Sequence, residues 1–248
     1  IVQFALIWWL TEQTGSAAVL ATASLFGLIP QIILSPFAGA LVDRWNRRIV
    51  MMVSDSAIAG FSLGLAFLFH SGRVQVWHIY VLMLLRSMGG SFHWPAMQAS
   101  TSLIVPKDQL TRVGGLNQTL SGLMNIAAPP IGAMLMGLMP VQGILLMDVV
   151  TAALAVIPLI FVTIPQPPTN KSSADGNAPK ATLWSDLVEG FHYVATWPGM
   201  LVIVVIAALL NCLITPAFSL LPLLVSKHFG GGAIQLSFIN SAWGLGML

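Results

Sequence analysis

Charge is what this chain has least of. Only 7% of its 248 residues are Asp, Glu, Lys or Arg, while 56% are hydrophobic; globular domains carry roughly 25% charged residues. So few charges cannot cover the surface of a water-exposed globule of this size, which excludes that class. Cysteine is nearly missing too: Cys212 stands alone, so no internal disulfide can form, and it reads as a small packing residue within a helix. The signatures of soluble-enzyme chemistry are lacking. No His and Cys fall at zinc spacing, no glycine-rich loop ends in Lys with Ser or Thr, and the serines form no nucleophile motif. With ten basic and eight acidic residues, nothing argues for nucleic acid as a partner. The sequence also lacks an initiating Met and a signal peptide. Its first apolar run from Ile1 is too short to span a bilayer and its last stops in mid-helix at Leu248, so it reads as a piece cut at both ends.

What remains is a succession of apolar stretches, each about 20 residues long and able to cross roughly 30 Å of hydrocarbon. They run from Ile1 to Leu10 (a helix end), Ala18 to Val42, Ile49 to Phe69, Trp77 to Ala99, Val113 to Met139, Val141 to Ile164, Met200 to Val225, and Ala233 onward. Short connections predict an all-α, polytopic, antiparallel bundle. The long connection from Pro165 to Thr182, rich in Pro, Ser, Asn and Lys, has linker composition. After it, Leu183, Trp184, Leu187, Val188, Phe191 and Val194 recur at helical spacing, as either a short amphipathic helix on the membrane surface or a solvated linker helix. The chain therefore divides into a bundle over residues 1–164, a linker over 165–199 and the start of a second bundle over 200–248.

Basic residues set the orientation. Arg44, Arg47, Arg48, Lys107, Arg112, Lys171 and Lys180 fall on one side and only Arg73 and Lys227 on the other, which puts the linker in the cytoplasm. Lys227 sits at a helix end rather than within the bundle, which disfavours a Schiff-base photoreceptor.

Between the second and third stretches lies Gly39-Ala-Leu-Val-Asp43-Arg44-Trp-Asn46-Arg47-Arg48. This segment resembles the loop between helices 2 and 3 of major facilitator superfamily transporters, with Gly39, Asp43, Arg44, Arg47 and Arg48 at the family's positions. Asn46 stands where the family prefers Gly, and Asn tolerates the left-handed backbone such a turn would need. Arg86-Ser-Met-Gly89-Gly90 is similar to the family's helix 4 motif, in which the Arg is tied to proton coupling, with Gly89 in place of Gln. Ala128-Pro129-Pro130-Ile131-Gly132-Ala133, with Gly115 upstream, resembles the antiporter motif of helix 5. Trp8-Trp9-Leu10-Thr11, Thr14-Gly15-Ser16, Pro30-Gln31 and Ser35-Pro36 look like the branch of macrolide, other drug and siderophore exporters.

The resemblance implies a twelve-helix monomer of the bacterial cell membrane, of which seven to eight helices are present here. It implies proton-driven efflux of a small amphipathic molecule by alternating access between two six-helix halves. Its partners would be lipid, substrate and protons, with no ATP, metal or organic cofactor. Asp43 would hold the cytoplasmic side closed against a helix terminus of the opposite half while the basic residues anchor the loop. Two rivals remain, an importing facilitator and a receptor or assembly factor of the same fold.

Ionisable groups at mid-bilayer are costly and face partners or water-filled cavities. Asp55, Arg86 and Asp148 lie inside spans, and helix rise places Arg86 about 13 Å and Asp148 about 10 Å from the outer ends of theirs, a depth that permits a pair. His93 lies seven residues from Arg86 on the same helix face and near the depth of Asp55. These four are the proton-coupling candidates, with structural ion pairing as the alternative. Asn117, Ser121 and Asn125 form a polar stripe flanked by Gly115, Gly122, Ala128 and Gly132, suited to tight packing or to a substrate path. Pro216 and Pro222, with Asn211 and Thr215 upstream, mark either a kink or a binding site. Trp8, Trp9 and Trp77 read as interfacial belt residues.

Overall fold

The computed structural model describes residues 1–162, 164, 188, 192–193 and 195–246. Of the linker over 165–199, all but 188, 192–193 and 195–199 lies outside the described residues, and with it Lys171, Lys180 and the amphipathic stretch apart from Val188, His192 and Tyr193. The described residues form helices joined by short turns, with no strand among them: α1 Val2–Thr14, α2 Ala17–Arg44, α3 Arg47–His70, α4 Val76–Ile104, α5 Leu110–Leu138, α6 Val141–Phe161, α7 Pro198–Leu223 and α8 Ala233–Gly246. A 3-10 turn, Lys107–Gln109, leads into α5, and a π turn, Leu224–His228, follows α7. Among these, α2, α3, α6 and the stretch Lys107–Leu138 are long and apolar enough to cross a membrane.

Local chemistry explains the boundaries. α1 ends where Gly15 takes a left-handed backbone (φ 55°) and donates its amide to the Thr11 carbonyl, a conformation open to glycine at little cost. α4 starts with a reciprocal cap in which the Gln75 amide donates to His78 Nδ1 at 2.9 Å. It then runs to Ile104, beyond the Ala99 expected from hydropathy, because its polar end stays helical: Ser100 and Thr101 return their hydroxyls to the carbonyls of Ala96 and Met97. It stops at Val105, the residue before Pro106. Prolines inside α2, α4, α5 and α6 leave those helices continuous, as membrane helices allow when freed carbonyls find other donors.

α3 lies between α4 and α6, α2 runs along α4, and α5 packs against α8. One apolar core joins α1, α2, α3, α4 and α6 through Leu6, Leu20, Leu65, Ile79 and Leu145. A smaller one near the α2–α3 turn contains Val42, Val50, Met51, Ala96 and Ile164. The outward faces carry Ile33, Val53, Phe67, Leu154 and Ile203, all exposed, as faces turned to lipid are. The tryptophan assignment needs correction. Trp8 is buried beside Val225 and Leu236 with its indole donating to Glu12 Oε1 at 2.8 Å, because Glu12 one turn on supplies the partner that interfacial water was expected to provide. Trp9 meets Phe69 edge-on at 5.2 Å. Trp77 remains exposed, bonded to Gln75.

Candidate functional site

The turn between α2 and α3 is built by its charges. Asp43, at the end of α2 and 70% exposed, pairs with Arg47 at 3.0 Å, one turn apart in sequence. Arg47 is buried and donates its other terminal nitrogen to the Ala99 carbonyl of α4 at 3.0 Å. Arg48 donates to the Ile160 carbonyl at the end of α6. The two arginines thus tie one turn to two neighbouring helices at carbonyls, and the Ala99 carbonyl lies in the last turns of α4, where a cation complements the helix dipole. Asn46 does not take the left-handed backbone expected of it. Its φ is −68°, and its side chain accepts the amides of Arg48 and Ile49, so it caps α3; the capping bonds favour Asn over Gly without any positive φ.

Further into the bundle, α3 and α4 run antiparallel, so moving seven residues along one matches moving seven back along the other. Ser62 and Arg86 meet at one level, Asp55 and His93 at the next. Arg86 Nη1 lies 2.5 Å from Asp148 Oδ2 of α6 and 3.3 Å from Ser62 Oγ. Ser62, fully buried, donates to the same Asp148 oxygen at 2.8 Å. The result is a three-helix knot in which one carboxylate oxygen receives a guanidinium and a hydroxyl. On the side of it toward the α2–α3 turn, His93 Nε2 lies 3.5 Å from Asp55 Oδ2. Gly89 lies between the levels, where a Cβ would come within 2.8 Å of the Ile58 side chain, so α3 and α4 approach closely between the two pairs.

Arg86 also borders a cavity of about 750 Å³, with Gln31, Ser87, Ser91 and Trp94 on one side and Thr215 and Ser219 of α7 on the other. A second cavity of about 400 Å³ is lined by Gln3, Asn125, Pro129, Asn240 and Trp243. Both touch Gln3, Ile7 and Phe218, which makes them neighbours along α1 and α7. Volumes in this range suit drug-sized ligands.

The polar stripe of α5 is divided. Asn125 reaches the smaller cavity, whereas Asn117 and Ser121, half-buried, line neither. Asn211 lines neither cavity; it is exposed and donates its amide to the Ala207 carbonyl of its own helix at 2.9 Å. Gly132 does serve close packing, since a Cβ there would meet Phe4 at 3.2 Å. A Cβ on Gly115 would have nothing within 4 Å. Asp43 pairs with Arg47, Arg48 reaches the Ile160 carbonyl, Asp148 joins Arg86, and His93 joins Asp55; Arg44 is exposed on the same turn, and Gly39 precedes it in α2 with open space where a Cβ would stand.

Sequence reasoning missed Ser62, Ser87, Ser241 and Gly244. Ser62 was findable, since it follows Asp55 by the seven residues that separate Arg86 from His93. Ser87 donates to the Gly27 carbonyl across α4 and α2. Ser241 Oγ donates to the Ile126 carbonyl at 2.6 Å, and a Cβ on Gly244 would stand 3.0 Å from the backbone of Asn125 and Ile126, so α5 and α8 touch backbone to backbone. Small residues are common throughout the chain and give no warning of such a contact. Among the described residues, no group of three or more His, Cys, Asp or Glu could hold a metal ion.

The sequence profile described as Major Facilitator Superfamily matches residues 1–248. The chain is similar to macrolide efflux protein A of Streptococcus pyogenes, 32% identical over the whole chain and 60% of that protein. It is similar to macrolide efflux protein A of Enterococcus faecalis, 30% identical over 94% of the chain and 71% of that protein. An uncharacterized transporter of the same type from Bacillus subtilis is 26% identical over 52% of the chain and 30% of its own length. The chain thus spans about 60% of the length of its streptococcal relative. With the profile matched from end to end and four helices of membrane-spanning length and apolarity among the described residues, the chain is a multi-pass membrane protein that belongs to the major facilitator superfamily.

Proposed function

We propose that the whole protein is an exporter of small amphipathic molecules, macrolides first among them, driven by protons and working by alternating access between two six-helix halves. In this reading residues 1–164 form most of the first half, 165–199 the cytoplasmic linker and 200–248 the start of the second. The observation that carries it is the Arg86–Asp148 pair beside a cavity shared by α1–α4 and α7. A guanidinium does not lose its proton, so Arg86 acts as a fixed charge that Asp148 satisfies in one state and exchanges in another. The macrolide efflux proteins among its relatives suggest the substrate class. Asp43, exposed on the cytoplasmic turn, closes that side against the second half, and Arg47 and Arg48 anchor the turn.

The test is uptake of a panel of macrolides and other amphipathic compounds into inverted vesicles bearing the full-length protein, with and without a proton gradient. Export predicts accumulation that collapses when an ionophore removes the gradient. Uptake indifferent to the gradient removes the proton coupling, and accumulation only in right-side-out vesicles makes the protein an importer.

A further inference from the structure

Four ionisable side chains lie away from the helix ends in the packed region of α2, α3, α4 and α6: Asp55, Arg86, His93 and Asp148. They are sorted into two pairs two helical turns apart, Arg86 with Asp148 at 2.5 Å and His93 with Asp55 at 3.5 Å. The first pair is neutral as it stands. The second is neutral only when it holds a proton, because a carboxylate beside an uncharged imidazole leaves one negative charge with nothing to balance it. Among the described residues, the helices packed against this pair supply no further cation at its level. α6 brings only Asp148, α2 brings only Asp43 and Arg44 at its cytoplasmic end, and the remaining charges of α3 and α4 are Arg47, Arg48, His70 and His78 at their termini. An unbalanced charge between packed membrane helices is costly, and an imidazole facing a carboxylate can hold the proton that removes it.

We propose that the Asp55–His93 pair, rather than Arg86–Asp148, is the site that carries the transported proton; the inference rests on the proton-coupled reading above. Held on His93 Nε2 facing Asp55 Oδ2, the proton makes the four-residue set neutral and lets α3 and α4 stay closed along Gly89. With both side chains 20% to 30% exposed, opening of the cytoplasmic side lets water enter. The N–H bond then breaks, water takes the proton as hydronium, and neutral imidazole and carboxylate remain until a proton arrives from the outer side. Arg86 keeps its proton throughout and supplies the fixed positive charge one level outward.

The test uses the full-length protein in proteoliposomes and measures three quantities: gradient-driven macrolide accumulation, macrolide exchange at equal pH, and protons released to a pH dye when macrolide is added to the detergent-solubilised protein. His93→Gln and Asp55→Asn should each keep exchange, fall to the no-gradient level of accumulation and release no protons, and the double variant should match the singles. A form in which every histidine except His93 is replaced by Gln should keep gradient-driven accumulation. Coupling that survives in His93→Gln, or is lost in the His93-only form while its exchange remains, overturns the inference. A wild type that shows no coupling at all instead overturns the proton-coupled function on which it rests. Should both single variants fail to insert, substrate-triggered proton release by the His93-only form supports the inference, and its absence there, with release intact in wild type, refutes it.

Discussion

The contact of α3, α4 and α6 and the contact of α5 with α8 solve the same problem with opposite materials. In the first, Arg86, Ser62 and Asp148 join three helices through charge and hydroxyl, with Gly89 making room. In the second no charge takes part: Gly244 removes the side chain between two backbones and Ser241 donates one bond to the Ile126 carbonyl. Lipid supplies no hydrophobic force between apolar helices, so both close approach and polar bonds can hold them. A charge pair can do more, because its partners can part and be satisfied by others in a second state, whereas a glycine seam can only slide or part. In the proposed reading the energy-coupled step therefore falls to the α3–α4–α6 region and relative movement to α5–α8.

Breaking the charged contact should have the larger effect. Arg86→Ala leaves the Asp148 carboxylate without its cation; loss of one partner of a buried pair costs 3–5 kcal/mol, and the pair's 20% to 29% exposure puts this case near the lower end, about 3 kcal/mol. Thermal unfolding of the purified full-length protein should report it, together with complete loss of gradient-driven transport. Arg86→Lys keeps charge but loses the planar fork, and is expected to insert normally yet fail to pump.

The seam between α5 and α8 should answer to volume instead. Gly244→Val places side-chain atoms against backbone that cannot swing aside, with an expected cost of about 1–3 kcal/mol and slower transport. Melting curves and exchange rates would check it, and an unchanged Tm would mean that the seam is not closed. Ser241→Ala should matter less, about 0.6 kcal/mol, the average for hydrogen bonds between membrane helices. Smaller in reach, Asn46→Ala loosens only the cap of α3, about 1 kcal/mol, read as faster amide exchange at Arg48 and Ile49.

The same contrast governs what could be read in advance. Charges in apolar stretches are rare, so each one in this chain invited a partner, and helix rise was enough to put Arg86 and Asp148 at compatible depths. Apolar length located the helices because it is a property of each segment alone. The α5–α8 seam depends on which of many small residues face each other, and Gly115 looked as suited to it as Gly244, which meets α5 in fact. Hydropathy also mistook the end of α4, since serine and threonine hydroxyls turned back on their own helix are invisible to it. The cavity residues Gln31, Ser87 and Ser91 carry no sequence signature, because a cavity is defined by what surrounds it.

The most direct measurement of whether the Arg86–Asp148 pair works in transport or merely holds helices is gradient-driven macrolide accumulation by the neutral double variant Arg86→Gln with Asp148→Asn in the full-length protein. Removing both charges leaves no orphan, so the fold should keep most of its stability. The account predicts a protein that inserts, melts close to wild type and does not pump. Accumulation at the wild-type level would contradict it and leave the pair a structural tie between α4 and α6.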